Sequence, residues 1–432
     1  MGSIGTRTWL LKLGAYWLGL AILWGALTTV VIPTLVGARV PPEIKGSAVA
    51  LVAAVQALVA IAVQPLSGAL SDRFTTRWGR RRPWMVGGVA LQVVAVAALA
   101  VVPGYWPILL LMIGVELASN VAQGPYQALL PDLVPAGRRG PASGVLGGAQ
   151  LGGQILGAAL AGGAVAAGAT QLAIVLAAAT VGLGMIITVR GIREPPSNDR
   201  EPAPLTARAW GAAARQAMGG VWGRDLLARR DFIWLLASRL FVLMATGTLQ
   251  PFILFYLSDS IGLGQNAGPA VAPVAATVAF AALLSAIPGG AATARWGRVR
   301  VVSVSCGIGA LGAILFAFAP GYPALFPIAI PFGVALGSFL SADWALMVDV
   351  VPRHEAGRYL GLSNTVTAGA ALLGVAFAGP LADFVNGLRP GLGYRAIFAL
   401  AAIEFGLGAW AVMRVPEPGK GAALPRKAAA EQ

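Results

Sequence analysis

Long apolar runs, separated by short polar breaks, fill most of the chain. A run of about 18 or more apolar residues can cross the hydrocarbon core of a membrane as a helix. The pattern predicts twelve such helices, near residues 11–36, 46–70, 84–102, 106–131, 140–166, 170–189, 232–257, 267–290, 301–319, 323–349, 359–384 and 394–413. We therefore expect an all-α membrane protein with both termini on the same side.

Two segments of the first half return in the second half. Thr75–Arg82 is echoed by Thr293–Arg300, and Asp132–Arg138 is partly echoed by Asp349–Arg358. Both echoes lie about half the chain length further on. Two matched pairs at nearly one offset indicate a duplicated membrane unit of six helices.

Composition and the placement of positive charge support a membrane protein and orient it. The chain is 57% hydrophobic and 11% charged, whereas soluble domains contain about 25% charged residues. The net charge of +14 comes from arginines clustered in alternate loops, which argues against a nucleic-acid partner. Of 31 basic residues, only Arg39, Lys45, Arg389 and Arg395 fall in the opposite loops, and Arg239 lies within a helix. The positive-inside rule then predicts cytoplasmic termini, and the bias towards alanine, glycine and arginine indicates a bacterial inner membrane.

A long polar stretch divides the chain into two halves. We assign an N-terminal six-helix bundle to residues 1–190 and a C-terminal six-helix bundle to residues 232–414. Residues 191–231 are predicted to form a cytoplasmic linker, which begins with a proline-rich segment. Within it, residues 206–227 combine tryptophans with arginines and are predicted to form an interfacial helix. Residues 415–432 are predicted to be a disordered cytoplasmic tail.

The residues needed for metal, disulfide or enzymatic chemistry are missing from the sequence. Cys306 is the only cysteine and lies in an apolar run, and His354 is the only histidine. We find no nucleophile–base set and no phosphate-binding loop. The sequence therefore predicts no metal site, no cofactor and no enzymatic activity.

The loop after the second predicted helix, Gly68–Pro83, has the most distinctive motif. It reads Gly-x-Leu-x-Asp-Arg followed by Arg-Trp-Gly-Arg. With the duplicated six-helix unit and the central polar stretch, this loop resembles the major facilitator superfamily of membrane transporters. The copy after the eighth helix fits the same pattern, except that Ala294 replaces the aspartate. The resemblance implies twelve helices in two pseudo-symmetric six-helix bundles.

Two segments narrow the resemblance to the proton-coupled sucrose and disaccharide symporters, a glycoside–cation symporter-like family. One is the Gly68–Pro83 loop. The other is Glu116–Asp132, where Gln-Gly-Pro-Tyr-Gln-Ala-Leu-Leu is similar to the Gln-Gly-Pro-x-Arg-Ala-Leu-Leu of plant sucrose symporters. Gln127 stands in place of the plant arginine, so a plant-like sucrose site is not carried over.

Buried polar residues on the fourth helix are candidates for the transport site. Glu116 lies near the middle of the membrane, and Asn120, Gln123 and Gln127 follow at +4, +7 and +11 on the same face. Because a charge in hydrocarbon costs about 2.5–3.5 kcal/mol, this face is expected to meet a cavity; helices 1, 4, 7 and 10 line it in the resembled fold. Glu116 is assigned to proton coupling and the three amides to substrate binding. Alternatively, Glu116 only joins helices by hydrogen bonds.

A second pair of charged residues is expected in the other half. Arg239 on the seventh helix and Asp343 on the tenth lie at similar depths and are predicted to be partners. Asp343 is assigned to proton coupling and Arg239 to substrate binding, with a purely structural ion pair as the alternative. Further substrate-binding candidates are Gln250, Trp344, Trp24 and Thr28, although packing explains the tryptophans equally well. Glu404 has no predicted partner.

Residues of the repeated loops are assigned to gating. They are Gly68, Asp72, Arg73, Arg77, Gly79, Arg80, Asp132, Arg295, Gly297 and Arg298. Asp72 is expected to meet the positive N-terminal end of the eleventh helix near Tyr359, and Arg73 and Arg80 to reach Asp132, while the cytoplasmic side is shut. Positive-inside anchoring is the simpler explanation for Arg81 and Arg82.

These features and the resemblance together predict a secondary active transporter. We expect proton symport of a small polar solute, above all sucrose or another sugar, by alternating access in a monomer embedded in lipid. The expected partners are a small-molecule substrate and protons. Two alternatives stay open: an exporter or facilitator of another amphiphilic solute, and a non-transporting membrane receptor or assembly factor.

Overall fold

The computed structural model describes residues 7–71, 78–134, 139–192, 229–351 and 356–417. Within these residues the chain forms twelve long helices, two of them interrupted. They are α1 (Arg7–Ala26, continued by a π-helical turn Leu27–Val31 and by Ile32–Gly37), α2 (Lys45–Ser71), α3 (Arg82–Ala98), α4 (Tyr105–Leu133), α5 (Arg139–Ala166), α6 (Thr170–Gly191), α7 (Arg230–Leu249, continued by Gln250–Phe252, Ile253–Phe255 and a π-helical turn Tyr256–Ser260), α8 (Ala267–Trp296), α9 (Arg298–Ala317), α10 (Leu325–Val350), α11 (Ala356–Leu388) and α12 (Leu392–Val412).

The helices confirm the predicted all-α membrane fold. Eleven of them are long and apolar enough to cross a membrane, and α3 is a shorter apolar helix of 17 residues. It ends at Ala98 because the next residues fold into tight turns, in which Leu99 N–H donates to the Val96 carbonyl. We call the side where α1 begins and α12 ends the termini side, and the opposite one the far side.

The two halves repeat one packing pattern. In the first half, α1 packs on α5 and α6, α4 packs on α2 and α3, and α3 packs on α6. In the second half, α7 packs on α11 and α12, α10 packs on α8 and α9, and α9 packs on α12. Each contact of one half therefore has its counterpart six helices later, as the repeated sequence segments predict.

Helices α1 and α7 occupy matching places and are both irregular near the far side. Pro33 follows the π-helical turn of α1, and Pro251 lies in the 3-10 turn Gln250–Phe252 of α7. Proline has no backbone N–H and cannot continue the regular helical hydrogen bonds. The turns Leu27–Val31 and Gln250–Phe252 also touch each other across the two halves.

Glycine allows the backbones of α1 and α5 to touch. A Cβ atom placed on Gly157 would overlap the Ile22 carbonyl, and one on Gly25 would overlap the Gln154 carbonyl. Helices in lipid associate through such close packing, because no hydrophobic effect drives them together. The glycine content of the sequence therefore supports the packing inside each bundle.

The two bundles meet through the helix pairs α2–α11 and α5–α8. At the far ends of α5 and α8, Gly162 lies directly against Gly268. At the far ends of α2 and α11, the Asp383 carboxylate accepts backbone N–H bonds from Gly46 at 2.8 Å and from Ser47 at 2.6 Å. A carboxylate is stabilised there by the positive N-terminal end of α2.

An ion pair between Lys45 and Asp259 adds to this contact between the bundles. The Lys45 ammonium also lies 4.8 Å from the ring centre of Phe255 and 5.7 Å from that of Tyr394. The side chains of Lys45 and Asp259 are only 19% and 28% exposed, so water screens their attraction incompletely. Polar groups thus hold the two halves together on the far side.

The expected start of the C-terminal tail is wrong by a few residues. Val415 is buried, and the Glu417 carboxylate accepts N–H bonds from Arg298 at 2.5 Å and from Val299 at 3.1 Å. An acidic side chain is favourable at this helix start because the first N–H groups of α9 have no partner within the helix. Residues 418–432 and the predicted interfacial helix at 206–227 lie outside the described residues.

Candidate functional site

A cavity of about 670 Å³ lies in the termini-side part of the first bundle, between α1, α4 and α5. Its polar lining consists of three glutamine amides and its aromatic lining of three rings: Gln123, Gln127, Gln150, Trp17, Trp24 and Tyr126. The other lining residues are apolar or glycine. The cavity is therefore uncharged along its described walls, with amides that can both donate and accept hydrogen bonds.

The aromatic wall of the cavity is fixed by its own contacts. The Trp17 ring stacks on the Tyr126 ring with centroids 5.5 Å apart and planes inclined by 11°. The Tyr126 hydroxyl donates to the Leu13 carbonyl at 2.8 Å, which ties α4 to α1. The Gln123 amide donates to the Ser119 hydroxyl at 2.8 Å. These side chains offer a pre-arranged surface to a solute with both flat apolar faces and hydroxyl groups.

Glu116 lies deeper, between α4 and α2. Its Oε1 accepts a hydrogen bond from the Asn120 amide at 2.6 Å, and its Oε2 accepts one from the Gln56 amide at 3.3 Å. Glu116 is 9% exposed and Asn120 is 2% exposed. The Ser67 hydroxyl of α2 donates to the Asn120 backbone carbonyl at 2.8 Å. Within the described residues, the carboxyl group is therefore bonded to neutral amide donors and to no cation.

The polar face predicted on α4 is divided between two surroundings. Gln123 and Gln127 line a cavity, but its walls come from α1, α4 and α5 and not from the expected set of helices 1, 4, 7 and 10. Glu116 instead bonds to Gln56 of α2, and Asn120 contacts α2 through its backbone carbonyl. Seven residues separate Glu116 from Gln123, about 10 Å along the helix. The four residues therefore form one continuous polar strip, but only its termini-side end belongs to the cavity wall.

The predicted pair of charged residues in the second half is present. Arg239 Nη1 bonds to Asp343 Oδ2, with side chains 12% and 1% exposed. Arg239 Nε also donates to the Thr367 hydroxyl of α11 at 3.2 Å. Asp343 Oδ1 is buried without a hydrogen-bond partner, so this carboxylate is only half satisfied. The pair joins α7, α10 and α11.

The other substrate-binding candidates lie apart from one another. Trp24 lines the cavity. Thr28 and Gln250 belong to the two irregular turns that meet near the far side. Trp344 is 51% exposed, and it is not among the residues of the cavity wall. The structure therefore groups only Trp24 with the glutamines.

Glu404, for which the sequence offered no partner, lies between α12 and α7. It is 2% exposed, and both of its oxygens lie 3.2–3.3 Å from the buried Thr248 hydroxyl. One hydroxyl proton can satisfy only one oxygen at a time. Glu404 thus links two helices of the second bundle, away from the described cavity.

The predicted gating residues are only partly described. Asp72, Arg73 and Arg77 lie outside the described residues. Gly68 and Asp132 lie on α2 and α4, and the structure gives no account of the Asp132 side chain.

The remaining gating residues surround two glycines at the termini side. Gly79 has φ 102° and Gly297 has φ 91°, values that favour glycine. Arg80 follows Gly79, and Arg295 is exposed at the end of α8. Arg298 forms an ion pair with Asp349 of α10, the counterpart in the second half of the predicted contact between Arg80 and Asp132.

Surface anchoring is the wrong explanation for Arg81. This side chain is 2% exposed, and its Nη1 donates to the Pro125 carbonyl of α4 at 3.1 Å. Arg82 likewise bonds to the carbonyls of Val189 and Ile192 at the end of α6. Counting charges could not reveal these bonds, because the positive-inside rule concerns the side of the membrane and not the contacts of a side chain.

Sequence reasoning also missed five residues in or next to the site. Gln56 and Gln150 are isolated polar residues in apolar or glycine-rich runs, and Thr367 belongs to a polar cluster on α11. Trp17 and Tyr126 are two of many aromatic residues. Glu116 was identified because a polar group within a membrane helix costs free energy. The same argument applies to amides and could have identified Gln56 and Gln150. Among the described residues there is no group of three or more metal-ligating side chains.

Known sequence relatives match a limited part of the chain. The sucrose transport protein SUT1 of Oryza sativa subsp. japonica is 30% identical over 115 residues, 20% of this chain and 20% of that protein. SUC4 of Arabidopsis thaliana, also a sucrose transport protein, is 35% identical over 94 residues, 16% and 17% of the two chains. The uncharacterized symporter sll1374 of Synechocystis sp. is 33% identical over 81 residues, 16% and 15%. The matches thus span a fifth or less of these relatives.

Solved structures are similar over almost the whole chain. The nucleoside transporter NupG superposes with a TM-score of 0.70 at 16% identity, covering 94% of this chain and 98% of that one. A bacterial homologue of the human lysosomal transporter Spinster, in an inward-facing and occupied conformation, gives a TM-score of 0.72 at 16% identity, covering 95% and 97%. At such identities the similarity shows a shared fold.

The family model described as MFS/sugar transport protein matches residues 41–411. This range includes the second to eleventh helices completely and nearly all of α12. It agrees with the resemblance that the repeated loops indicate. The chain therefore belongs to the MFS/sugar transport protein family, whose members are multi-pass membrane transporters of the major facilitator superfamily and not enzymes.

Proposed function

We propose that the protein is a secondary active transporter that moves a neutral sugar by proton symport. The observation that carries this proposal is the amide and aromatic cavity connected along α4 to the buried Glu116 carboxyl. The two sites are about 10 Å apart on one helix, so a structural change at one site can be transmitted along α4 to the other.

The chemistry of the cavity favours a neutral polyhydroxylated solute. Three glutamine amides can exchange hydrogen bonds with hydroxyl groups, and the rings of Trp17, Trp24 and Tyr126 can pack on the apolar faces of a sugar ring. A volume of about 670 Å³ is in the range of small-molecule sites. Sucrose transport proteins among the relatives support a disaccharide as the first candidate.

The surroundings of Glu116 favour a role in proton coupling. Among the described residues, its carboxyl is bonded to two neutral amides and to no cation, so it can change its protonation state without breaking an ion pair. Asp343 differs, because its ionised form is held by Arg239. We therefore assign the moving proton to Glu116, and to Asp343 a secondary role that depends on Arg239.

The contacts between the bundles support alternating access. The two halves are joined at the far side, by Asp383 on the start of α2 and by the Lys45–Asp259 pair, while the cavity lies towards the termini side. With the termini in the cytoplasm, as the arginine distribution predicts, the joined far side is the outer side of the membrane, and we infer that the solute enters the cavity from the cytoplasmic side.

Uptake into proteoliposomes tests the proposal. Labelled sucrose should accumulate when the outside is made acidic, and a protonophore should abolish this accumulation. Gln127→Leu and Trp24→Ala should each lower uptake about 5–13-fold, since each removes a contact of about 1–1.5 kcal/mol with the solute. Binding of sugars without any flux would instead support a receptor.

A second candidate is a facilitator of another amphiphilic solute, such as a nucleoside. The stacked pair of Trp17 and Tyr126 is the observation that favours it, because a flat base can stack on such a wall. Competition of unlabelled nucleosides with labelled sucrose separates the two candidates. Uptake that nucleosides inhibit and that does not respond to a pH gradient would favour the second one.

A further inference from the structure

The two oxygens of the Glu116 carboxyl have unequal partners. Asn120 lies one turn further along the same helix, and its amide is 2.6 Å from Oε1. Gln56 belongs to α2, and its amide is 3.3 Å from Oε2, slightly beyond the usual range for a hydrogen bond. The shorter bond is the stronger one. Oε2 is therefore the oxygen that is more available to a proton.

Protonation of Oε2 changes what Gln56 must do. The protonated oxygen becomes an O–H donor, and it then faces the N–H donor of the Gln56 amide. The protonated oxygen is a much weaker acceptor than a carboxylate oxygen, so the Gln56 N–H bond is weakened, and the amide gains a stronger bond by rotating to present its oxygen to the new O–H. Asn120 needs no change, because Oε1 still accepts its bond. The proton comes from water and ends on Oε2, while Gln56 stays neutral throughout.

The α2 helix links this carboxyl to the contact between the bundles. Gln56 is ten residues, about 15 Å, from Gly46, where Asp383 holds the start of α2. Towards the other end, Ser67 donates to the Asn120 backbone carbonyl, a bond that does not depend on the charge of Glu116. The Tyr105 hydroxyl of α4 also donates to the Ala48 carbonyl of α2 at 2.9 Å. Of these three polar bonds between α2 and α4, only the one made by Gln56 responds to protonation.

Charged groups on the neighbouring helices are remote from Glu116. On α2 the charged residue is Lys45, eleven residues from Gln56 or about 16 Å along the helix. On α3 it is Arg82, which bonds to the end of α6. α5 has Arg139 at its first position, and α11, which packs on α2, has Arg358 near its start on the termini side and Asp383 near its end on the far side. Within the described residues, the amides of Asn120 and Gln56 are the groups bonded to this carboxyl.

We propose that Gln56 is the positioning residue that transmits the protonation of Glu116 to α2 and so to the far-side contact. This inference rests on the proposed proton symport. It does not give Gln56 any contact with the solute, and the residue is not part of the described cavity wall. Removal of the Gln56 amide should therefore weaken proton coupling and leave the transport of the solute itself intact.

The test compares Gln56→Met with Gln64→Met in proteoliposomes. Methionine keeps the length of the side chain but cannot make these hydrogen bonds. Gln64 is on the same helix, and among the described residues the Glu116 carboxyl is bonded to Gln56 and Asn120 and not to Gln64. Sucrose counterflow at equal pH measures transport, and accumulation under a pH gradient measures coupling. One pH unit can drive about tenfold accumulation for one proton per solute.

Gln56→Met should keep counterflow within about twofold of the wild type and should accumulate sucrose little above the equilibrium level. Gln64→Met should behave as the wild type in both assays. In a Glu116→Gln background, Gln56→Met should add no further loss, because the two residues act as one unit. Gln56→Leu serves as the second variant if the methionine variant does not fold.

Three results would show whether the inference about Gln56 or the proposed function is wrong. Wild-type accumulation by both Gln56 variants would overturn the inference, and so would an equal loss of counterflow and accumulation, which indicates a structural role. Unchanged accumulation by Glu116→Gln would instead contradict the proposed function itself, whatever Gln56 does.

Discussion

Removal of the Asp383 carboxylate should shift the protein away from the state that is closed at the far side. In this state the carboxylate accepts two N–H bonds from Gly46 and Ser47, at 2.8 and 2.6 Å, across the boundary between the bundles. Both bonds must break when α2 and α11 separate there. Asp383→Ala removes them from the closed state and leaves the open state unaffected.

The size of the shift follows from the type of contact. Hydrogen bonds to a charged group contribute about 1.5–3 kcal/mol, and loss of a helix N-cap costs about 0.5–2 kcal/mol. Asp383 is only half-buried, and water can replace it at the exposed start of α2. We therefore expect a change of about 1–2 kcal/mol, which lowers the ratio of closed to open molecules by about 5–30-fold.

Distances between spin labels at Ala167 and Gln265 measure this ratio. Both positions are exposed and lie at the far ends of α5 and α8, away from the mutated contact, and the native Cys306 is buried. Asp383→Ala should enlarge the population with long distances. Glu43→Ala removes an equal charge from the exposed far side and should change nothing. The reasoning fails if the two variants give the same distance distribution.

Three further predictions concern stability. Arg239→Gln should lower the unfolding temperature sharply, since a buried carboxylate without its partner costs about 3–5 kcal/mol, and adding Asp343→Asn should restore much of the loss; no restoration would contradict the ion pair. Gly157→Ala should destabilise the protein, because the added methyl group meets the α1 backbone, while Gly152→Ala, with open space around it, should be tolerated in the same thermal assay. Glu404→Gln should keep its hydrogen bond and cost little, whereas Glu404→Ala should cost about 1–3 kcal/mol by leaving its hydroxyl partner on α7 unsatisfied; equal melting temperatures would refute this.

The sequence was sufficient for most of the fold, because membrane helices are determined by the length of their apolar runs. The repeated loops also predicted the matching order of the two halves. The irregular ends of α1 and α7 were not foreseen, although Pro33 and Pro251 lie there. A proline in an apolar run breaks hydrogen bonds without changing hydropathy, so the apolar pattern alone does not detect it.

Only part of the candidate site could be predicted from the sequence. The cost of a buried charge identified Glu116 and the pair of Arg239 and Asp343. Helical spacing placed Glu116 and Gln127 on one face but could not tell which neighbour each part of that face meets. The partner Gln56 lies on another helix, sixty residues away, and only the packing of α2 on α4 brings it to the carboxyl.

The most direct test of the account is the accumulation of labelled sucrose by proteoliposomes containing Glu116→Gln. Glutamine keeps the size and a hydrogen-bonding side chain but cannot take up a proton. We predict that this variant equilibrates sucrose across the membrane at a measurable rate and does not concentrate it under an imposed pH gradient. Accumulation equal to that of the wild type would contradict the central claim that Glu116 couples the proton to the solute.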